Sequence, residues 1–377
     1  MGMIGGGPGS FIGLVHFNGA VLDGQIELVC GAFSSDPEKS KIAGEQYHLP
    51  PERVYRSYHE MFEKEKIMDP DKRMDFVCIV TPNHVHYEPA RLALENGFHV
   101  VIDKPMTISV EEAQGLVKLV EDTGLIFALT HVYTAYPMVK EARKLIEDGE
   151  LGKLRKIVVE YPQGWLSTPL EKTDNKQAGW RADPKKSGKV GAMGDIGTHA
   201  FNLAEYISGL QVIQICADLS TFVEDRKLDD DGNVLLRFNN GAKGVLHASQ
   251  VSAGEENNIN IRIYGEKGGI EWHQVEPNTL IVKWLDKPTE IRRAGNAYVY
   301  DITDYNSRLP FGHPEGLIEA FANIYRNVAT SIQHRLDKEE VPEFAEDYPD
   351  VYDGLRGMVF IDKLIESNNS DLKWTDL

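Results

Sequence analysis

The sequence predicts a two-domain α/β protein: an N-terminal doubly wound parallel-sheet domain, residues 1–133, and a C-terminal α+β domain, residues 134–377, built on a large, mostly antiparallel open sheet. Length supports the division, because single cores stop growing near about 250–300 residues. Rhythm supports it too. Up to residue 133 short apolar runs alternate with amphipathic stretches, the signature of βαβ units around a parallel sheet. From Leu154 onward, alternating segments are joined by Gly and Asn turns, as in an antiparallel sheet solvated on one face.

In the first domain, strands are expected at Ile26–Ala32, Phe76–Val80, His99–Ile102 and Ile126–Leu129, each an apolar run of strand length. Only Met1–Ile4 precede the glycine run that begins at Gly5, where a strand usually has about five or six residues, so the start of the chain reads as slightly truncated. Tyr87–Asn96 and Val110–Asp122 show helical spacing and stop near Gly97 and Gly124, residues suited to C-terminal caps. In the second domain the expected strands are Arg155–Tyr161, Val212–Phe222, Val234–Phe238, Gly244–Val251, Asn260–Tyr264 and Leu280–Trp284. Helices are expected near Ile196–Ile207, Glu315–Gln333 and Leu355–Glu366, the last packing back against the first domain.

Lysines and arginines number 40 against 58 aspartates and glutamates, a formal charge of −18. Such a chain repels phosphate backbones and anionic lipid, which removes nucleic acid and membrane surfaces from its expected partners. No apolar run reaches the roughly 18 residues needed to cross a bilayer, and no leader opens the chain, so the cytoplasm is the expected compartment. Cys30, Cys78 and Cys216 lie apart in apolar runs and read as buried reduced thiols. No His–Cys cluster has ligand spacing, and no metal is expected.

Met3-Ile4-Gly5-Gly6-Gly7-Pro8-Gly9-Ser10-Phe11-Ile12-Gly13 sets glycines between an apolar strand and a predicted helix. A turn of this kind brings backbone amides and a helix dipole to the pyrophosphate of a dinucleotide. The strict Gly-x-Gly-x-x-Gly spacing is missing, since the third glycine position falls on Ser10 counted from Gly5 and on Ile12 counted from Gly7. Gly5, Gly7, Pro8, Gly9, Ser10, Phe11 and Ile12 are the candidate cofactor contacts here. At the end of the second strand, where an acid normally meets the ribose 2′-hydroxyl, the chain reads Phe33-Ser34-Ser35-Asp36-Pro37-Glu38-Lys39. Ser34, Ser35 and Lys39 suit a 2′-phosphate and Asp36 a plain ribose, so the cofactor is NAD or NADP.

Three more segments fall where an open sheet needs them, beyond the carboxyl ends of strands. Thr81-Pro82-Asn83-His84-Val85-His86 follows the third expected strand, and Asp103-Lys104-Pro105 follows the next. Gly194-Asp195-Ile196-Gly197-Thr198-His199 opens a helix of the second domain, with Asp195 and His199 one turn apart on one face.

With these motifs in order, the chain resembles the Gfo/Idh/MocA family, the sugar and cyclitol dehydrogenases named for glucose-fructose oxidoreductase and inositol dehydrogenase. The likeness spans nearly the whole length: the glycine-rich opening, the T-P-N-x-x-H segment, the E-K-P lysine motif and the G-x-D-x-G-x-H motif have counterparts in order, the last with Met193 at its first position and Gly194 beside Asp195. The resemblance implies a Rossmann domain and an NAD(P)-dependent oxidoreductase acting on a CH–OH group of a sugar, anhydrosugar or cyclitol. It also implies a homodimer or homotetramer formed through the open sheet, to which apolar positions from Val245 to Tyr264 would contribute. By the same resemblance Lys104 works beside the nicotinamide, while Asp195 and His199 handle the substrate hydroxyl. Asp103 stands where the family usually has glutamate, a shorter carboxylate that neutralises or positions the lysine. Thr81, Pro82, Asn83, His86, Asp103 and Lys104 complete the candidate cofactor contacts.

The chemistry is coherent, because removing a hydride from a carbinol carbon requires the hydroxyl proton to leave, and a near-neutral base does this best. His199 is the expected general base, Asp195 its orienter or a second hydroxyl ligand, and Lys104 a cation that stabilises developing alkoxide. Tyr133, Trp165, Trp180 and Arg181 supply aromatic faces and a forked donor, and join Asp195 and His199 as candidate substrate contacts. Two rival readings are an NAD-dependent glycoside hydrolase acting by transient oxidation and a non-catalytic dinucleotide-binding protein on the same fold.

Overall fold

The computed structural model describes residues 1–377. Its first half runs β1 (Gly2–Gly5), α1 (Phe11–Val21), β2 (Cys30–Ala32), α2 (Pro37–Gln46), α3 (Tyr58–Glu65), β3 (Phe76–Val80), α4 (Tyr87–Glu95), β4 (His99–Ile102), α5 (Val110–Thr123) and β5 (Phe127–Leu129). It continues with α6 (Pro137–Glu147), β6 (Lys156–Pro162), α7 (Lys176–Arg181), α8 (Pro184–Ser187), α9 (Thr198–Ser208), β7 (Val212–Ser220), β8 (Asp231–Phe238) and β9 (Lys243–Ser249). The remainder is β10 (Asn260–Tyr264), β11 (Gly268–His273), β12 (Thr279–Trp284), β13 (Glu290–Arg293), α10 (Asp301–Tyr305), α11 (Leu317–Asp337), α12 (Val351–Asn368) and β14 (Thr375–Asp376). No helix is long and apolar enough to cross a membrane.

The chain gathers into two units, Met1–Val132 with Leu317–Leu355, and Tyr133–Gly316 with Arg356–Leu377. This corrects the expectation of an unbroken second domain over 134–377. The sequence treats α11 as part of the later rhythm, but its buried stripe of Phe321, Ile324, Tyr325 and Val328 belongs to the first unit. There it lies on α1: a Cβ on Gly19 would sit 2.7 Å from the Cβ of Phe321. The final helix, expected to return to the first domain, contributes only Val351–Leu355 to that unit, and from Arg356 onward it belongs to the second.

In the first unit the five strands form a parallel sheet in the order β2-β1-β3-β4-β5. Every residue of β3 is buried, as a strand covered on both faces requires, which is why it reads as a continuous apolar run. Ser109 accepts the Glu112 amide to start α5, and Gly124 at φ 65° ends it. β2 is shorter than the Ile26–Ala32 run because pairing begins where Cys30 lies opposite Gly2; beyond it the Val29 amide reaches Met1 O at 3.0 Å and the Met1 amino group donates to Glu27 O at 2.7 Å.

The second unit carries nine strands in the order β13-β12-β11-β10-β6-β9-β8-β7-β14, antiparallel except for the β6–β9 pair. Its two-residue period is clear in β8, where Val234, Leu236 and Phe238 are each 1% exposed while Leu235 between them is 44% exposed. Each such buried side chain contributes about 1.5–3 kcal/mol relative to exposure, enough to fix which face turns inward. β11 and β13 were not anticipated: β11 opens on two glycines, and β13 is a short charged edge strand, Glu-Ile-Arg-Arg.

Candidate active site

The cradle after β1 is built by close backbone approach. A Cβ on Gly13 would lie 2.4 Å from the Cα of Gly6, so α1 meets the turn at a distance only glycine permits. Gly6 and Gly13 therefore do the work that the strict spacing rule looks for at Ser10 or Ile12. Gly9 adopts φ 80° with open space around it, and Gly5, at φ 88°, packs against the Val80 carbonyl. Gly7 and Pro8 complete the turn. Ser10 caps α1 by accepting the Gly13 amide at 3.2 Å, and the first turn of the helix, beginning Phe11-Ile12, contains no acidic residue to oppose an anion.

The loop after β3 lies beside this turn, since a Cβ on Gly5 would sit 3.1 Å from the Thr81 methyl. Thr81 Oγ1 is buried there without a hydrogen-bond partner, and it is followed by Pro82 and the buried Asn83. An orphaned hydroxyl beside a glycine cradle fits a dinucleotide. After β2, Ser34 Oγ accepts the Asp36 amide at 3.2 Å, Asp36 caps α2 through the Glu38 amide at 3.1 Å, and exposed Lys39 pairs with Asp36 at 3.5 Å. Ser35 is exposed beside them.

Lys104 follows β4, on a loop tied down from several directions. Asp103 Oδ1 accepts the Lys104 amide at 2.9 Å and the Thr130 hydroxyl at 3.0 Å. The shorter carboxylate thus turns back onto the lysine's own backbone. Burial opposes ionisation of Asp103, but His16, Lys104 and His86 more than offset it and hold the carboxyl below its usual range. His86, a candidate cofactor contact, is 1% exposed and its ring nitrogens lie 2.8 Å from Pro105 O and 2.8 Å from Thr81 O. It joins the two loops that flank the site, and burial lowers its pKa. His131, buried after β5, is held down to about 3 by burial and by the charge of Lys104.

In the second unit the residues of interest share one hydrogen-bonded cluster. Met193–Gly197 is a turn of π-helix leading into α9, so Asp195 and His199 are set by a wider turn than the α-helical step expected of them. Half-buried Asp229 fixes that turn by accepting the Gly191 and Met193 amides at 2.6 and 2.8 Å. Asp195 Oδ2 accepts Arg181 Nε at 3.0 Å and Gln250 Nε2 at 2.8 Å. Arg181 also donates to Gln177 Oε1 at 2.6 Å and stacks over Trp180 at 4.3 Å, so this expected substrate contact is anchored on the acid.

His199 is buried with its ring edge-to-face against Tyr133 at 4.9 Å. The Tyr133 and Tyr161 hydroxyls bond to each other, and Tyr161 donates to Asn257 Oδ1 at 2.8 Å. Gln163 donates to the same Asn257 oxygen and accepts from Trp165 Nε1 at 3.1 Å. Burial raises the pKa of both tyrosines, which keeps their hydroxyls protonated. Gln250, Asn257 and Asp229 were missed: each is a single polar residue in an ordinary turn or strand end, and only long-range folding brings it to Asp195, Tyr161 or the π-turn.

Comparison with known proteins agrees with this geometry. Residues 1–131 match the oxidoreductase family with NAD-binding Rossmann fold, and residues 139–271 match the GFO/IDH/MocA C-terminal domain. The uncharacterized oxidoreductase YfiI of Bacillus subtilis (strain 168) is 33% identical over 382 residues, 99% of this chain and 95% of that one. Levoglucosan dehydrogenase of Pseudarthrobacter phenanthrenivorans is 28% identical over 334 residues, 82% of this chain and 81% of that one. The crystal structure of an inositol dehydrogenase homolog from Azotobacter vinelandii complexed with NAD+ has a TM-score of 0.94 at 32% identity, covering 100% of this chain and 96% of that one. Its complex with NADH and myo-inositol has a TM-score of 0.91 at 30% identity, covering 100% and 97%. With a glycine cradle at α1, a lysine loop after β4 and these matches along both parts of the chain, the protein belongs to the Gfo/Idh/MocA oxidoreductase family, with its NAD-binding Rossmann fold.

Proposed function

We propose that this protein is an NAD(P)-dependent dehydrogenase that moves a hydride between nicotinamide and a secondary hydroxyl or ketone of a sugar, anhydrosugar or cyclitol. The observation that carries this reading is the cluster around His199, where Tyr133, Tyr161, Asn257, Gln163 and Trp165 interleave donors, acceptors and aromatic faces. A polyol needs such a lining, because each buried hydroxyl must find a partner. Relatives named for levoglucosan and myo-inositol support the same substrate class.

The glycine turn from Gly5 to Gly9, the start of α1, Thr81 and Asn83 would hold the coenzyme, which supplies the hydride acceptor when bound. His199 takes the hydroxyl proton as the hydride leaves its carbon. Asp195, paired with the Arg181 guanidinium at 3.0 Å, binds a neighbouring hydroxyl or orients the imidazole. Lys104, whose backbone is fixed by Asp103, stabilises the developing alkoxide. In the reverse direction the same groups return the proton to a ketone. Ser34, Ser35 and Lys39 supply the hydroxyls and cation that a 2′-phosphate needs, so NADP is expected to bind as well as NAD.

On the open sheet, Leu235, Val245 and Val158 align across β8, β9 and β6 on the face opposite the buried side chains. This apolar row supports a homodimer or homotetramer. The test of the central reading is a screen of NAD and NADP against inositols, aldoses and anhydrosugars, following the absorbance of reduced nicotinamide. Turnover with at least one free polyol is expected. Release of an aglycone without net coenzyme reduction would instead favour the hydrolase reading, and coenzyme binding without turnover on any member of the panel would favour the non-catalytic one.

A further inference from the structure

His16 lies in the interior of the first unit, 0% exposed, on the helix that begins at the glycine cradle. Cys78 of β3, Tyr325 of α11 and Asp103 after β4 face it, and the Phe321 ring packs against it edge-on at 4.8 Å. Its Nδ1 is 2.7 Å from the Tyr325 hydroxyl and 3.3 Å from Cys78 Sγ. Tyr325 in turn donates to Cys78 Sγ at 2.8 Å. With that hydroxyl proton committed to sulfur, Nδ1 must be the donor to the tyrosine oxygen. Nε2 then faces Asp103 Oδ1 at 3.9 Å with no hydrogen-bond partner. A neutral ring would aim a lone pair at a carboxylate 3.9 Å away, whereas an imidazolium aims an N–H.

We infer that His16 is a positioning residue for Lys104, acting as a buried cation that holds Asp103 ionised and, through Asp103 Oδ1, fixes the lysine's backbone. The inference rests on the proposed role of Lys104. The same oxygen that faces His16 accepts the Lys104 amide and the Thr130 hydroxyl, so α1, the β4 loop and the β5 loop share one junction. Lys104 and His86 also lower the Asp103 pKa, and His131 and Tyr325 are further titratable groups within its field. Burial works against a charge on His16, but Cys78 and Asp103 outweigh it and raise the pKa to about 9. The helix that receives the coenzyme is thereby tied to the loop that carries the catalytic lysine.

The test combines a titration with a mutant cycle on the full chain. Histidine-labelled wild-type protein, followed by NMR over the pH range in which it stays folded, should show one imidazole that remains protonated well above the ordinary histidine range and that disappears in His16→Gln. In turnover, His16→Gln should lower kcat by roughly tenfold to a hundredfold while substrate KM and coenzyme Kd stay near wild type, the mark of a misplaced group rather than lost binding. Because His16 acts through Asp103, the double variant with Asp103→Asn should be no slower than Asp103→Asn alone. An imidazole titrating in the ordinary range or below, or additive losses in the double variant, would overturn the inference. A wild-type enzyme with no turnover would count against the proposed function instead, while the titration would still decide whether His16 is a buried cation facing Asp103.

Discussion

The two halves of the candidate machinery are made of different materials. In the first unit the site is largely backbone: glycines that let α1 approach the β1 turn, a capped helix start, and a lysine loop pinned through its own amide. In the second unit it is largely side chain, a cluster in which Asp195, Arg181, Gln250, Tyr161 and Asn257 meet from positions 55 to 96 residues apart in several pairs. Backbone geometry is written locally in the sequence, whereas a side-chain cluster exists only after the sheet has formed. The first unit suits a constant coenzyme, and the second suits a substrate that can change by substitution at single positions.

The comparison is broken most severely at Lys104. If this side chain is the one chemical group of a backbone-built region, Lys104→Met should lower kcat by about 10³-fold with coenzyme affinity retained, as titration calorimetry would read. Next comes Gly13→Ala, which places a methyl 2.4 Å from the Gly6 Cα. It should weaken coenzyme binding by roughly a hundredfold and lower the thermal midpoint, because the cradle cannot open without moving α1.

Arg181→Ala sharpens the other side of the comparison. Removing the guanidinium leaves Asp195 with Gln250 as its remaining donor of this pair, and kcat/KM for the polyol should fall by roughly thirtyfold with coenzyme affinity unchanged. If Arg181→Ala weakens coenzyme instead, the division of labour between the two regions fails. The smallest effect is on stability. His131 is held down to about 3, far below its unfolded value, so its contribution is complete above neutral pH and is lost as pH falls from about 6.5 toward 3. Thermal unfolding should show the wild type losing roughly 2 kcal/mol more than His131→Asn between neutral pH and about pH 5.

Much of this was legible in advance, and the pattern of what was not follows the same contrast. β3, β4 and β10 match their predicted spans because buried strands and alternating strands announce themselves by period. The lysine loop was visible because motif and strand end coincide, and the Asp195 segment because its motif opens a helix, α9. Gly6 and Gly13 escaped a rule that counts spacing, since contact between a turn and a helix depends on how the helix leaves the turn. Asp103 showed its identity but not its partner: that it would face His16, a lone histidine in an apolar helix, depends on packing of α1 against α11 more than 300 residues away in sequence, as the His16–Tyr325 separation of 309 shows. Arg181 looked like a free forked donor, and only the fold reveals the acid it neutralises.

The most direct test of hydride transfer is isotopic. A turned-over polyol labelled with deuterium at the oxidised carbinol carbon would be incubated with the enzyme and oxidised coenzyme, and the reduced coenzyme read by mass spectrometry. The account predicts that the deuterium appears in the coenzyme mole for mole with ketone formed. Deuterium released to water, or retained in a product cleaved without any coenzyme reduction, would contradict it.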